Sequence, residues 1–208
     1  LLFKGGGYML GLLLKDFYNV RKQAAWYAAM IVLFCVISVA LGNTAFASTI
    51  GILVTVSIPI TAIAYEEKDG WQKFVVAGGM GAKAIVGEKF LLGILCALVS
   101  SVGYSIVFAM TGDHSNAVVE VVVPICMQFI ALAVVLPLVF KFGVEKGRTY
   151  MIALIVALMA AFIALMPAAA DVLSGGGTVL AVCTACVTVI LSVLSYIVSV
   201  IVYGKKEF

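Results

Sequence analysis

Charge is scarce in this sequence. Of 208 residues, 11% are Asp, Glu, Lys or Arg and 64% are hydrophobic. Soluble domains carry about a quarter charged residues. A water-facing surface cannot be assembled from so few, and the apolar excess excludes an ordinary soluble fold. The bilayer is the solvent that suits it. Histidine is nearly absent: His114 stands alone, so no set of imidazole ligands can assemble a zinc site. The five cysteines, Cys35, Cys96, Cys126, Cys183 and Cys186, all fall in apolar runs. They form no disulfide framework and signal no compartment. Cys183 and Cys186 make a C-x-x-C inside a continuous hydrophobic run, and they read as small buried hydrophobes, not a redox pair. Nothing of the length needed for a separate soluble domain is left, so one membrane domain is expected.

What is present is a series of long apolar runs. Six cover about 24–41, 47–65, 90–110, 117–140, 150–170 and 178–203. A hydrocarbon core of roughly 30 Å needs about 20 helical residues. Only helices or closed barrels satisfy their own backbone in lipid, and barrel strands alternate where these runs are uniformly apolar. The expected fold is therefore all-α and integral to the membrane, with six spans. Ahead of them, Leu10, Leu13, Leu14, Phe17 and Val20 recur at helical spacing among Lys15, Asp16, Asn19, Arg21 and Lys22. Residues 9–23 thus read either as an amphipathic helix on the membrane surface or as an extension of the first span. Residues 1–8, with a glycine triplet before Met9, are expected to be a tag remnant or mis-set start and are set aside. No cleavable signal-peptide pattern is seen.

The connections alternate. Residues 42–46, 111–116 and 171–177 carry no Lys or Arg, whereas 66–89, 141–149 and both ends hold all thirteen basic residues. The positive-inside rule assigns the basic side, with both termini, to the cytoplasm. Pro59, Pro124, Pro137 and Pro167 lie in or at the ends of spans, where local kinks are expected. Glu120 and Gln128 flank Pro124 and make the start of the fourth span the most polar stretch of spanning helix. An ionisable residue in a span is a candidate for a pathway or gate. Glu120 is also near enough to the outer end to reach headgroups and water.

Segment 66–74 mixes Glu66, Glu67, Lys68, Asp69 and Lys73 with Trp71 and Phe74. It reads either as a short boundary helix that docks a partner, or as a solvated loop with an interfacial tryptophan anchor. Two apparent motifs fail. Gly78 to Ala84 resembles a phosphate loop, but Ala82 and Ala84 stand where Gly and Ser or Thr are required around Lys83. The Glu66–Glu67 pair lacks the histidines of a metalloprotease. No nucleophile and base are brought together, and enzyme activity is not expected.

Four segments resemble the ABC type 2 permeases, and within them the small six-helix group that includes exporter permeases for phenol-soluble modulin peptides. They are Met9–Asn19, Glu66–Trp71 with Ile85–Phe90, Pro137–Arg148 and Lys205–Phe208. One departure lies at 75–82, where the family usually has a Leu-Pro pair and a basic residue. The resemblance implies a membrane subunit that pairs with a second copy or close relative. It also implies docking on a separate ATPase chain that holds ATP and magnesium, with no cofactor or metal in this one. Docking would run through Lys15, Asp16 and Arg21, and through Glu66, Glu67, Asp69, Trp71, Lys73 and Phe74 in a coupling helix between spans 2 and 3. Gly143, Glu145, Lys146 and Arg148 would form the second cytoplasmic loop. The cargo expected is a hydrophobic or amphipathic peptide exported across a bacterial plasma membrane. The alternatives are a secondary transporter of a small substrate, a non-transporting membrane-complex subunit and, last, a lipid-modifying enzyme.

Overall fold

The computed structural model describes residues 5–71, 81–111 and 117–205, and these are helical apart from short turns. The helices are α1 (Gly5–Leu41), α2 (Ala45–Lys68), α3 (Ala82–Thr111), α4 (Ala117–Phe142) and α5 (Val144–Gly204). Among the described residues four stretches are long and apolar enough to cross a membrane: Ala45–Lys68, Ala82–Thr111, Ala117–Phe142 and Ala181–Gly204. Leu14–Arg21 with Ala25–Leu41, bent by 73°, makes up to five. The chain is a multi-pass membrane protein. Its outward side chains are apolar, among them Val32, Val36, Val99, Val102, Ile190 and Ile197. Such residues belong against lipid tails rather than water.

The bend in α1 does structural work. Beyond it, α1 lies along α2, with Tyr27 and Thr61 hydroxyls 3.2 Å apart and Gln23 Nε2 donating to Tyr65 Oη at 3.3 Å. Before it, Lys15 reaches Glu66, next to Tyr65. Eight residues of straight helix would separate the two contacts by about 12 Å. The inner face of the first segment is Leu12, Asp16 and Val20, spaced four apart, while Leu14, Tyr18 and Arg21 are exposed. The expected apolar face therefore shifts: Leu14 points out, and an aspartate lies in the buried stripe.

α2 and α3 each pack on all the other helices. Close approaches depend on missing side chains. A Cβ on Gly93 would lie 2.5 Å from Leu132 Cδ1, which fixes how closely α3 and α4 meet. Val56, Ile60, Ile63, Val86, Phe90, Leu132, Leu136 and Phe140 fill the main core near one end. A smaller cluster of Ala47, Tyr104, Val107 and Phe108 closes the other end.

α5 cannot be straight. At about 1.5 Å per residue its 61 residues would span roughly 90 Å. Yet a Cβ on Gly147 would be 2.8 Å from Val139 Cγ2, and Tyr203 packs edge-on against the adjacent Phe140 at 5.5 Å. Ser195 Oγ donates to the Ala133 carbonyl, so the last part of α5 runs parallel to α4. The chain therefore travels back along the bundle between Gly147 and the stretch Ala181–Gly204.

Three expected connections are corrected. Residues 171–177, expected as an outer loop, are helical within α5. They carry no proline, so every backbone N–H is free to continue the helix. The expected loop 141–149 shrinks to Gly143, whose φ of 80° supplies a turn that a larger residue would resist. Residues 66–68 close α2 and 82–89 open α3, so the expected loop 66–89 is helical at both ends. Residues 72–80, which include Lys73 and Phe74 of the expected coupling helix, lie outside the described residues, as do 1–4, 112–116 and 206–208.

Candidate functional site

The basic end of the bundle gathers the ends of all five helices. Glu67 Oε2 accepts the Val144 N–H at 3.2 Å. A Cβ on Gly204 would be 4.0 Å from the Ala82 Cβ, and Lys15 Nζ lies 4.6 Å above the Trp71 ring. Within this junction sits a group that burial alone would forbid. Asp16 and Lys89 are 0% exposed, Glu88 1% and Glu66 3%. Removing any of these charges from water costs several kcal/mol, of order 20 in the idealised limit, unless an opposite charge replaces the water.

Lys89 supplies that opposite charge. Its Nζ donates to Asp16 Oδ2, to Glu66 Oε1 at 2.8 Å and to Glu88 Oε1 at 3.4 Å. Lys15, a quarter exposed, pairs with Glu66 from the rim and stands 3.5 Å from Asp16 Oδ1. One ammonium thus holds carboxylates from α1, α2 and α3 at once. The three carboxylates bring ligand atoms within 4.8 Å of one another, a spacing that would suit a metal ion. The Lys89 ammonium is within ion-pair distance of all three.

Position explains how this is tolerated. Lys89 is seven residues into the 30-residue α3, about 10 Å from its start. Twenty residues cover the hydrocarbon core, so α3 has enough excess length to keep this turn at the membrane boundary. Glu66 is likewise two residues before the end of α2.

A second polar cluster lies farther along the bundle. Gln128 is fully buried, and its Oε1 accepts from Ser100 Oγ at 2.7 Å and Thr55 Oγ1 at 3.4 Å. Its Nε2, without a hydrogen-bond partner, rests where a Cβ on Gly51 would be, 2.7 Å away. Gln128 therefore joins α2, α3 and α4. A cavity of about 360 Å³ between α3, α4 and α5 is lined by apolar residues such as Phe90, Ile94, Phe129 and Val193, and Gln128 is not among them. Glu120 stands apart in the first turn of α4, where its carbonyl accepts the Tyr104 hydroxyl at 2.8 Å.

The expected docking residues divide. Asp16 and Glu66 are both buried in the ionic junction, paired with Lys89. Arg21, Glu67 and Asp69 are exposed, while Lys15 and Trp71 are partly buried against each other. Glu145 and Lys146 are exposed in the first turn of α5, Gly143 is the turn itself, and Arg148 follows on the same helix. The phosphate-loop lookalike ends in the first turn of α3 at Ala82, Lys83 and Ala84. Glu88 and Lys89 were not singled out as site residues by sequence reasoning. A signal existed: Ile85, Glu88, Lys89 and Leu92 fall on one helical face. A charge pair in an apolar stripe points inward.

Residues 11–204 match the family model described as ABC-2 family transporter protein. No curated protein and no solved structure matches the chain.

Proposed function

The chain belongs to the ABC-2 transporter family, and from that premise we propose that it is the membrane subunit of an ATP-driven exporter. In this reading it spans the membrane six times. The fifth span is the return path within α5, which the contacts of Gly147 and Tyr203 with neighbouring residues of α4 support. The basic end, with both termini, faces the cytoplasm of a bacterial cell. A separate ATP-binding subunit carries ATP and magnesium and docks there. Its contacts are Lys15, Arg21, Glu67, Asp69 and Trp71, together with Lys73, Phe74 and the exposed Glu145 and Lys146. A second permease copy or close relative completes the pathway, and the cargo is a hydrophobic or amphipathic peptide.

The observation that carries this reading is the family match over nearly the whole chain. The apolar lining of the cavity between α3, α4 and α5 favours a hydrophobic cargo over a small polar one. Affinity purification of the tagged chain from its native membrane tests it. A stoichiometric ATP-binding protein is the expected companion, and replacing Arg21, Glu67 and Asp69 together by Ala should weaken its recovery. Recovery of the chain alone, under detergent conditions that keep other complexes intact, would favour a secondary transporter instead.

A further inference from the structure

The ionic junction ties together the elements that a docked partner would push. The Leu14–Arg21 segment of α1 exposes Tyr18 and Arg21 on one side and sends Asp16 inward on the other. Asp16 meets Lys89 of α3, and Lys89 meets Glu66 of α2. The next residue, Glu67, accepts from the first N–H of α5. Apolar packing alone would let these helices slide past one another at small cost. Buried charges do not, because separation leaves an unpaired ion in a poor solvent.

We propose that Lys89 is the positioning residue that makes the first segment of α1, the end of α2 and the start of α3 move as one body. Glu67 extends that body to α5. Displacement at the exposed face of α1 is thereby passed to the spanning helices. The coupling role rests on the reading that an ATP-binding subunit docks at this end, whereas the mechanical tie does not.

Two distance measurements on the full chain separate these claims. Spin labels are placed at the exposed positions Tyr18 and Lys83, on a background with the five native cysteines replaced. In lipid nanodiscs the unaltered junction should give a narrow distance distribution, and Lys89→Met a broad one. Adding Asp16→Asn to Lys89→Met removes a carboxylate that has lost its buried partner and should narrow the distribution again, which a purely steric role for Lys89 would not produce. A distribution that stays narrow in Lys89→Met overturns the tie. Should Lys89→Met not be recovered folded, the near-isosteric Asp16→Asn alone must broaden the distribution, and its failure to do so overturns the tie equally. The second label pair is at Leu41 and Met110, both exposed near the opposite end. With the co-purified ATP-binding subunit, ATP should shift this distance in the unaltered junction. In Lys89→Met the shift should be lost while ATP hydrolysis continues. A retained shift, or none in the unaltered junction, overturns the coupling role. Absence of any ATP-binding subunit would instead sink the functional reading, leaving the first label pair to judge the tie.

Discussion

Two polar clusters lie in the same bundle and are built on different principles. At the basic end, Asp16, Glu66, Glu88 and Lys89 are ionisable and buried, and the three carboxyl groups meet on the Lys89 ammonium. Farther along, Thr55, Ser100 and Gln128 are neutral and meet through hydrogen bonds. The difference follows depth. Near the helix ends, flanking water and several converging chains offset the cost of burying ions. In the interior of a span, ionisable side chains are expensive and rare, and neutral interhelical hydrogen bonds contribute only about 0.6 kcal/mol on average. The first cluster is thus strong and brittle, and the second weak and tolerant.

Substitutions can break that contrast. The largest effect is expected from Lys89→Met, which takes the only cation from Glu88 and leaves Asp16 and Glu66 with Lys15 at the rim alone. Removing one partner of a buried ion pair costs about 3–5 kcal/mol, and thermal unfolding in detergent should show a large drop. A loss under about 1 kcal/mol would mean that water reaches the junction and that the contrast with Gln128 is false. Next comes Gly51→Ala, whose Cβ would press on Gln128 Nε2 at 2.7 Å. Overpacking of this kind costs about 1–3 kcal/mol. Gln128→Ala should relieve most of it, and additive losses in the double variant would show that the two residues do not meet. The smallest effect is expected from Glu67→Gln, which leaves the hydrogen bond to Val144 but removes a charge at a helix N-terminus. That interaction contributes about 0.3–1 kcal/mol and fades with salt. A salt-independent loss would mean that Glu67 acts through packing.

Much of the fold was legible in the sequence because lipid makes composition decisive. The runs at 47–65, 90–110 and 117–140 lie inside α2, α3 and α4, and the run at 178–203 overlaps the last stretch of α5. Gln128 stood out as a polar residue in an apolar run, although its contact with Thr55 and Ser100 depends on how three helices pack. Glu66 and Lys89 were read as parts of a charged loop. Local sequence could place Lys89 in an apolar helical stripe, but it could not name the opposite charge 23 residues away that Lys89 meets. The connection at 171–177 was misread because turn-forming glycines also fit in a helix whose backbone groups have no other partner in lipid.

The sequence by itself determined that this chain lives in a membrane and that its spans are helices. These follow from the free energy of moving each side chain between water and hydrocarbon, which is a property of residues taken in order. Only the tertiary structure decided that Asp16, Glu66 and Glu88 meet on Lys89, that Glu67 reaches the start of α5 and that Gly51 makes room for Gln128. Those depend on which helices lie side by side and how they are rotated. Hydrophobicity constrains that choice weakly in lipid, and close packing and paired charges make it.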